Sequence, residues 1–239
     1  SLGANVITIP IRYSSINKGE DLQDMIKTLG AMNPHFIIIR HKDSGIIQTL
    51  AYYIKCCIIN AGNGSNEHPT QALSDYLVIS KNKYQVQNLK ITICGDILHS
   101  RVARSNIKLL KMFGAQISLV SPPTLSCHSL NGVDKIYYSL EEGIKEADVI
   151  MLLRLQKERM NKSCFIPSQK EYFSLYGLDR KKLSYAKNDV IIMHPGPINR
   201  NVEISDDIAD SCSVILQQVE FGVAMRKAIL HYFSQFFIA

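Results

Sequence analysis

Lys90-Ile91-Thr92-Ile93-Cys94-Gly95-Asp96-Ile97-Leu98-His99-Ser100-Arg101 is the stretch that decides the fold class. Its first five residues read as a short β-branched strand, and a polar turn follows from Gly95 to Arg101. An amphipathic pattern then runs over residues 101–113, and a second apolar run occupies residues 116–120. Strand, helix and strand in that order are the unit from which parallel sheets are built.

The same rhythm extends in both directions. Strand-like runs precede it at residues 5–9, 36–40 and 57–60 and follow it at 148–152 and 189–193. Helical patterns lie between them near residues 21–29, 45–54, 69–80, 140–146 and 217–233. Most of the strand runs are almost wholly apolar, as strands covered on both faces should be. The expected fold is therefore α/β, with two domains that each hold a parallel sheet flanked by helices. The polar residues 81–88 separate the first three strand runs from the last four, which places domains at 1–80 and 81–213. Residues 214–239 are expected to be a C-terminal helix that packs back on the first domain.

Composition narrows the function classes. The 239 residues are 46% hydrophobic, enough for one large core or two modest ones. No stretch approaches the ~20 apolar residues of a membrane span, and the first residues do not resemble a signal peptide, so the expectation is a cytoplasmic protein with no membrane partner. The net charge of +6 is spread along the chain rather than gathered in a tract, which gives no support for nucleic acid binding and suits small anionic substrates. Cys56, Cys57, Cys94, Cys127, Cys164 and Cys212 form no CxxC pair and no metal-ligand spacing, so they read as buried free thiols and no metal is implied.

Polar residues just after strands are read first, because ligands in α/β folds bind at the carboxyl ends of strands. Arg40-His41, residues 60–71, residues 95–101, residues 154–159 and His194-Pro195-Gly196-Pro197 all occupy such places. Arg40, Arg101 and Arg154 stand at comparable strand exits, where a guanidinium can grip a carboxylate or phosphate in a planar fork. Pro69 suits the first position of a helix, which puts His68 at the helix tip and Gln71 in its first turn. Ser139 and Glu142 form a capping-box spacing before another helix.

His68-Pro69-Thr70-Gln71 resembles the HPTQ motif of carbamoyltransferases, and four further segments agree in order: Ser14-Ser15-Ile16-Asn17-Lys18-Gly19-Glu20, Arg40-His41, Gly95-Asp96 through Ser100-Arg101, and Arg154-Leu155-Gln156-Lys157-Glu158-Arg159. On these the chain is identified as a member of the aspartate/ornithine carbamoyltransferase family, on its aspartate side, since the HPCQ string and SMG loop of the ornithine enzymes do not occur. The resemblance implies transfer of the carbamoyl group of carbamoyl phosphate to the amine of L-aspartate, with no cofactor. It assigns Arg40, His68 and Lys18 to catalysis. Carbamoyl phosphate would also meet Ser14, Gln71, Pro195, Gly196 and Pro197, and aspartate would meet Lys18, Arg101, Arg154, Gln156 and Gly196. Ser14 and Lys18 would enter the site of a neighbouring chain in a homotrimer, and association with regulatory chains is compatible with the family.

Three features depart from the family pattern. Asn63 stands where Asp is usual, and Glu67 where Gln often precedes HPTQ. The phosphate-gripping Ser-Thr-Arg-Thr motif does not occur in the 239 residues. The expectation is a first domain incomplete at its N-terminus, with exposed apolar surface and weakened phosphate binding; the alternative function is an inactive truncated or degenerate carbamoyltransferase that binds aspartate or assembles with intact chains. A nucleotide-dependent oxidoreductase is disfavoured, because no GxGxxG follows any strand run.

Overall fold

A computed structural model describes residues 2–10, 21–156 and 168–237. Among them the chain runs α1 (Leu22–Ala31), β1 (Phe36–His41), α2 (Ile46–Ala51), β2 (Cys57–Asn63), α3 (Pro69–Lys83), β3 (Lys90–Cys94), α4 (Arg101–Met112), β4 (Gln116–Val120), β5 (Lys135–Tyr137), α5 (Leu140–Ile144), β6 (Val149–Leu152), α6 (Gln169–Tyr176), α7 (Arg180–Leu183), β7 (Ile191–Met193), α8 (Asp206–Ser211) and α9 (Ile215–Ser234). The α/β class expected from the sequence is the class observed.

The strands form two parallel sheets. β1 and β2 pair from Phe36↔Cys57 to Ile39↔Asn60, with a register shift before His41↔Asn63. The other five lie in the order β5-β4-β3-β6-β7, each parallel to its neighbours. Chain order reverses between β3 and β6, so the connections leaving these two strands run to opposite faces and open a crevice at their carboxyl ends.

The larger sheet is apolar on both faces, and alternate residues supply two separate cores. Ile91, Ile93, Val149 and Met151 point to one side, against Val78 and Ile79 of α3 and Ile107 and Leu110 of α4. Cys94, Ile150, Leu152 and Ile192 point to the other, against Leu140 and Ile144 of α5 and Ile208 of α8. Each such buried aliphatic contributes about 1.5 to 3 kcal/mol relative to exposure. α3 also packs along α9 and touches β2, so one helix joins both sheets to the C-terminal helix.

Several expectations differ from what is observed. Residues 5–9 form no strand, and Val6 and Ile7 are 82% and 86% exposed, because β-branched residues become a strand only where a neighbour pairs their backbone. β5 is three residues long at a sheet edge, too short to leave a periodic signal. α6 and α7 carried readable caps that the periodicity reading passed over: Ser168 accepts the Glu171 N–H, and Asp179 accepts the Lys182 N–H. The Lys182 ammonium in turn caps the carboxyl end of α6, donating to the carbonyls of Phe173, Ser174 and Gly177 at 3.1, 2.6 and 2.9 Å. Of the capping box at α5, Ser139 accepts the Glu142 N–H. Of the thiols expected to be buried, Cys94 and Cys127 are, whereas Cys56, Cys57 and Cys212 are only partly buried; Cys164 lies outside the described residues. No helix among the described residues is long and apolar enough to cross a membrane.

Candidate active site

Pro69 opens α3, and His68 stands at its N-cap. The His68 backbone N–H donates to Ser105 Oγ at 2.8 Å, which pins the tip of α3 to α4. Burial, followed by the guanidinium charges of Arg101, Arg226 and Arg40, brings the His68 pKa down to about 4. The imidazole is therefore neutral at pH 7. Thr70 Oγ1 lies 3.5 Å from its Nδ1. Gln71, three residues along, donates through Nε2 to Asp75 Oδ1 at 2.9 Å and accepts through Oε1 from Arg226 Nη2 at 3.1 Å.

The crevice between β3 and β6 supplies the second group of residues. Gly95 has φ +123°, and a Cβ there would lie 2.9 Å from the Leu153 carbonyl oxygen, so the two strand exits touch backbone to backbone. Asp96 ties them together. It is fully buried, meets His99 Nδ1 at 2.9 Å through Oδ1 and accepts the Gln156 N–H at 3.3 Å through Oδ2. Gln156 Nε2 returns to the His99 carbonyl at 3.3 Å. Arg101, the first residue of α4, is buried and donates to the Gly64 carbonyl at 3.1 Å. Its stem lies across Gly62, whose φ is +118° and whose Cβ would fall 2.8 Å from Arg101 Nε.

Glu203 holds the next loop. It accepts the Leu155 N–H at 2.9 Å and the Asn199 N–H at 2.7 Å while almost wholly buried. Burial raises its pKa, and those donors with the Arg154 charge oppose the rise. His194 follows β7, donates its N–H to Gln218 Oε1 at 2.8 Å and accepts the Gly196 N–H on Nδ1 at 2.9 Å. Its remaining proton then sits on Nε2, 4.0 Å from Glu203 Oε2. Burial and the Arg154 charge bring its pKa to about 4, so this ring too is neutral. Gly196 adopts φ +68°, a left-handed conformation that glycine takes without strain, and its bond to Pro197 is cis.

Comparison with known proteins decides the family. Residues 1–81 match the "Aspartate/ornithine carbamoyltransferase, carbamoyl-P binding domain" and residues 87–233 the "Asp/Orn binding domain" of the same enzymes. The chain belongs to the aspartate/ornithine carbamoyltransferase family. It is 73% identical over 233 residues to the aspartate carbamoyltransferase catalytic subunit of Wolbachia sp. subsp. Drosophila simulans, covering 98% of this chain and 77% of that one. The corresponding subunit of Ehrlichia canis is 60% identical, with 97% and 76% covered. Aspartate transcarbamoylase from Trypanosoma cruzi, solved with carbamoyl phosphate and aspartate, superposes with a TM-score of 0.85 at 32% identity, over 95% of this chain and 75% of that one. Ornithine carbamoyltransferase from Pyrococcus furiosus shares the fold, with a TM-score of 0.76 at 24% identity over 89% and 70%.

Within this carbamoyltransferase fold the expected residues fall into linked groups. Arg40 is the last residue but one of β1 and is exposed, and its charge acts on His68 together with that of Arg101. Arg154 and Gln156 leave β6 on a loop held by Asp96 and Glu203, and Pro195, Gly196 and Pro197 are tied in through His194 and Gln218. Ser14 and Lys18 lie outside the described residues, as do Lys157, Glu158 and Arg159. A cavity of about 350 Å³ is lined by Glu67, Arg104, Ser105 and Lys108 among others and includes none of the expected ligand-binding residues.

Sequence reasoning missed Asp75, Glu203, Gln218 and Arg226. Asp75 had a readable signal, since it stands four residues after Gln71 on the same helical face. Gln218 and Arg226 had none, because their partners Asp75 and Gln71 lie 143 and 155 residues away.

Proposed function

We infer that the protein transfers the carbamoyl group of carbamoyl phosphate to the amine of L-aspartate, giving N-carbamoyl-L-aspartate and phosphate. The observation that carries this reading is the Arg154-Leu155-Gln156 loop, fastened by Asp96 and Glu203 at the reversal point of the sheet and reaching the His99 carbonyl two residues before Arg101, within a chain 73% identical to an aspartate carbamoyltransferase catalytic subunit. Two guanidiniums and an amide at that position suit a dicarboxylic amino acid.

In this reading Arg101, Arg154 and Gln156 hold aspartate, and Arg40 and His68 donate to the carbamoyl carbonyl oxygen. His68 serves as a neutral donor, in the tautomer that accepts the Thr70 O–H on Nδ1 and presents Nε2–H. Negative charge grows on that oxygen as the amine attacks, so donors already in place lower the barrier. The new C–N bond forms, the C–O bond to phosphate breaks, and the amine gives its proton to the departing phosphate. Gln71 and the backbone carbonyls of Pro195 and Gly196, beside Pro197, orient the carbamoyl NH2. Holding an amine against an activated carbonyl can supply about 7 to 11 kcal/mol, and no covalent nucleophile is required.

Ser14 and Lys18 act from a neighbouring chain of a homotrimer in the cytoplasm, and any regulatory chains would bind outside this site. The chain spans about three quarters of the length of the Wolbachia relative, 77%. The direct test is carbamoyl-aspartate formation by purified protein, repeated with Arg154→Ala. A fall of about a hundredfold or more in kcat/KM for aspartate is expected on removing one charge of a buried ionic contact, and an unchanged rate would overturn the assignment. For the shared site, mixing Lys18→Ala chains with His68→Ala chains should restore activity in mixed trimers; no recovery would place each site within one chain.

A further inference from the structure

Asp75 lies on α3 one turn beyond Gln71 and has no exposed surface. Its carboxylate meets three side-chain amides: Gln71 Nε2 and Gln218 Nε2 on Oδ1, both at 2.9 Å, and Asn106 Nδ2 on Oδ2 at 2.8 Å. Each amide is held at a second point by a backbone group or guanidinium whose polarity cannot change. Asn106 Nδ2 also donates to the Val102 carbonyl at 3.1 Å. Gln218 Oε1 accepts the His194 N–H at 2.8 Å, and Gln71 Oε1 accepts from Arg226 Nη2 at 3.1 Å. A backbone carbonyl can only accept, and a backbone N–H or a guanidinium can only donate. All three amides are thereby compelled to turn N–H toward Asp75, an arrangement that favours the ionised carboxylate. Burial raises its pKa, and the three amides with the Arg226 charge hold that rise back.

The same logic runs outward. Since Gln71 must give its nitrogen to Asp75, its oxygen faces away from the core, toward the Arg226 guanidinium. One lone pair of that oxygen is used by Arg226 and the other is available to an N–H. Gln218 likewise holds His194, and through it the bend that carries Pro195, Gly196 and Pro197.

We propose that Asp75 is a positioning residue that makes the site select a carbamoyl group over acyl groups without an N–H, by fixing the polarity of Gln71 and, through Gln218, the His194 bend. The inference rests on the function proposed above. A carbamoyl NH2 satisfies the free lone pair of Gln71, whereas the methyl of an acetyl group leaves a desolvated acceptor unpaired. Asp75→Leu keeps the approximate shape of the side chain and removes both acceptor oxygens. Gln71 and Gln218, which both donate to Oδ1, then lose their partner, and a Gln71 free to flip would oppose its NH2 to that of the substrate.

The test compares Asp75→Leu with the parent, using carbamoyl phosphate as substrate and acetyl phosphate as competitor. The ratio of kcat/KM for carbamoyl phosphate to the association constant of acetyl phosphate should fall about tenfold or more, the scale of one hydrogen bond left unmade, with aspartate half-saturation changed by less. A merely structural role would lower both terms alike. Should Asp75→Leu fail to fold, Arg226→Lys carries the test: it keeps the charge, loses the fork that grips Gln71 Oε1 and Gly222 O, and should lower the same ratio severalfold. Parental ratios in folded variants overturn the proposal. Side-chain amide spectra provide a readout independent of turnover, with Gln71 and Gln218 NH2 protons exchanging slowly in the parent and rapidly in Asp75→Leu. Absence of carbamoyl transfer by the parent would refute the function proposed above, and the spectra would then decide the role of Asp75: unaltered exchange refutes it.

Discussion

The two sides of the site both hang on buried acids, yet the acids are satisfied in different ways. On the α3 side, Asp75 accepts only from side-chain amides, those of Gln71, Asn106 and Gln218. On the β6 side, Asp96 and Glu203 accept from the backbone N–H groups of Gln156, Leu155 and Asn199. A side-chain amide can rotate and reverse its polarity while the chain stays in place. A backbone N–H cannot turn without moving the loop. Damage on the first side should therefore change what is recognised, and damage on the second should change where the loop lies.

The largest effect that would test this contrast is expected from Glu203→Ala, which leaves the Leu155 and Asn199 N–H groups buried without their acceptor. At about 1 to 3 kcal/mol for each unsatisfied group, kcat/KM for aspartate should drop on the order of a hundredfold or more, with KM for carbamoyl phosphate nearly unchanged. Steady-state kinetics with each substrate varied would measure it, and equal losses for both would erase the distinction between the two sides.

Gly62→Ala should come next. The new Cβ would lie 2.8 Å from Arg101 Nε at a residue with φ +118°, so both backbone and arginine must shift. With strain of about 1 to 3 kcal/mol, KM for aspartate is expected to rise about tenfold. Titration of aspartate in the folded variant would check it, and an unchanged KM would mean that Arg101 does not depend on the β2 loop for its position.

Acid should act on both sides together through His68 and His194. Each has a folded pKa of about 4, below the ordinary value of 6.5. The unfolded chain therefore binds protons first as pH falls. Stability should be full above about pH 6.5 and decline toward pH 4, which urea midpoints measured across that window would reveal. The pH profile of kcat/KM should show no inflection from His68 near 6.5; one found there and removed by His68→Gln would refute the neutral donor.

The smallest effect belongs to Arg180→Ala. Arg180 pairs with Asp207 at 2.8 Å, but both side chains are at least half exposed, so solvent screens the pair. Neither the melting temperature nor either KM should move measurably, and a selective change in KM would extend the site into a region where nothing else places it.

The sequence by itself determined the alternating α/β order, the helix tip at His68 and the arginines at strand exits, because these are written in local periodicity, in one proline and in the ends of apolar runs. It could not establish that residues 5–9 would form no strand, since strand formation depends on a neighbour supplying partners for backbone groups. Nor could it decide that Asp75 would meet Gln218, or Gln71 meet Arg226, across 143 and 155 residues. Those contacts exist only because α9 packs back along α3. Tertiary structure alone settled which way each buried amide faces, because that orientation is fixed by the fixed donors and acceptors that distant segments bring to its two ends.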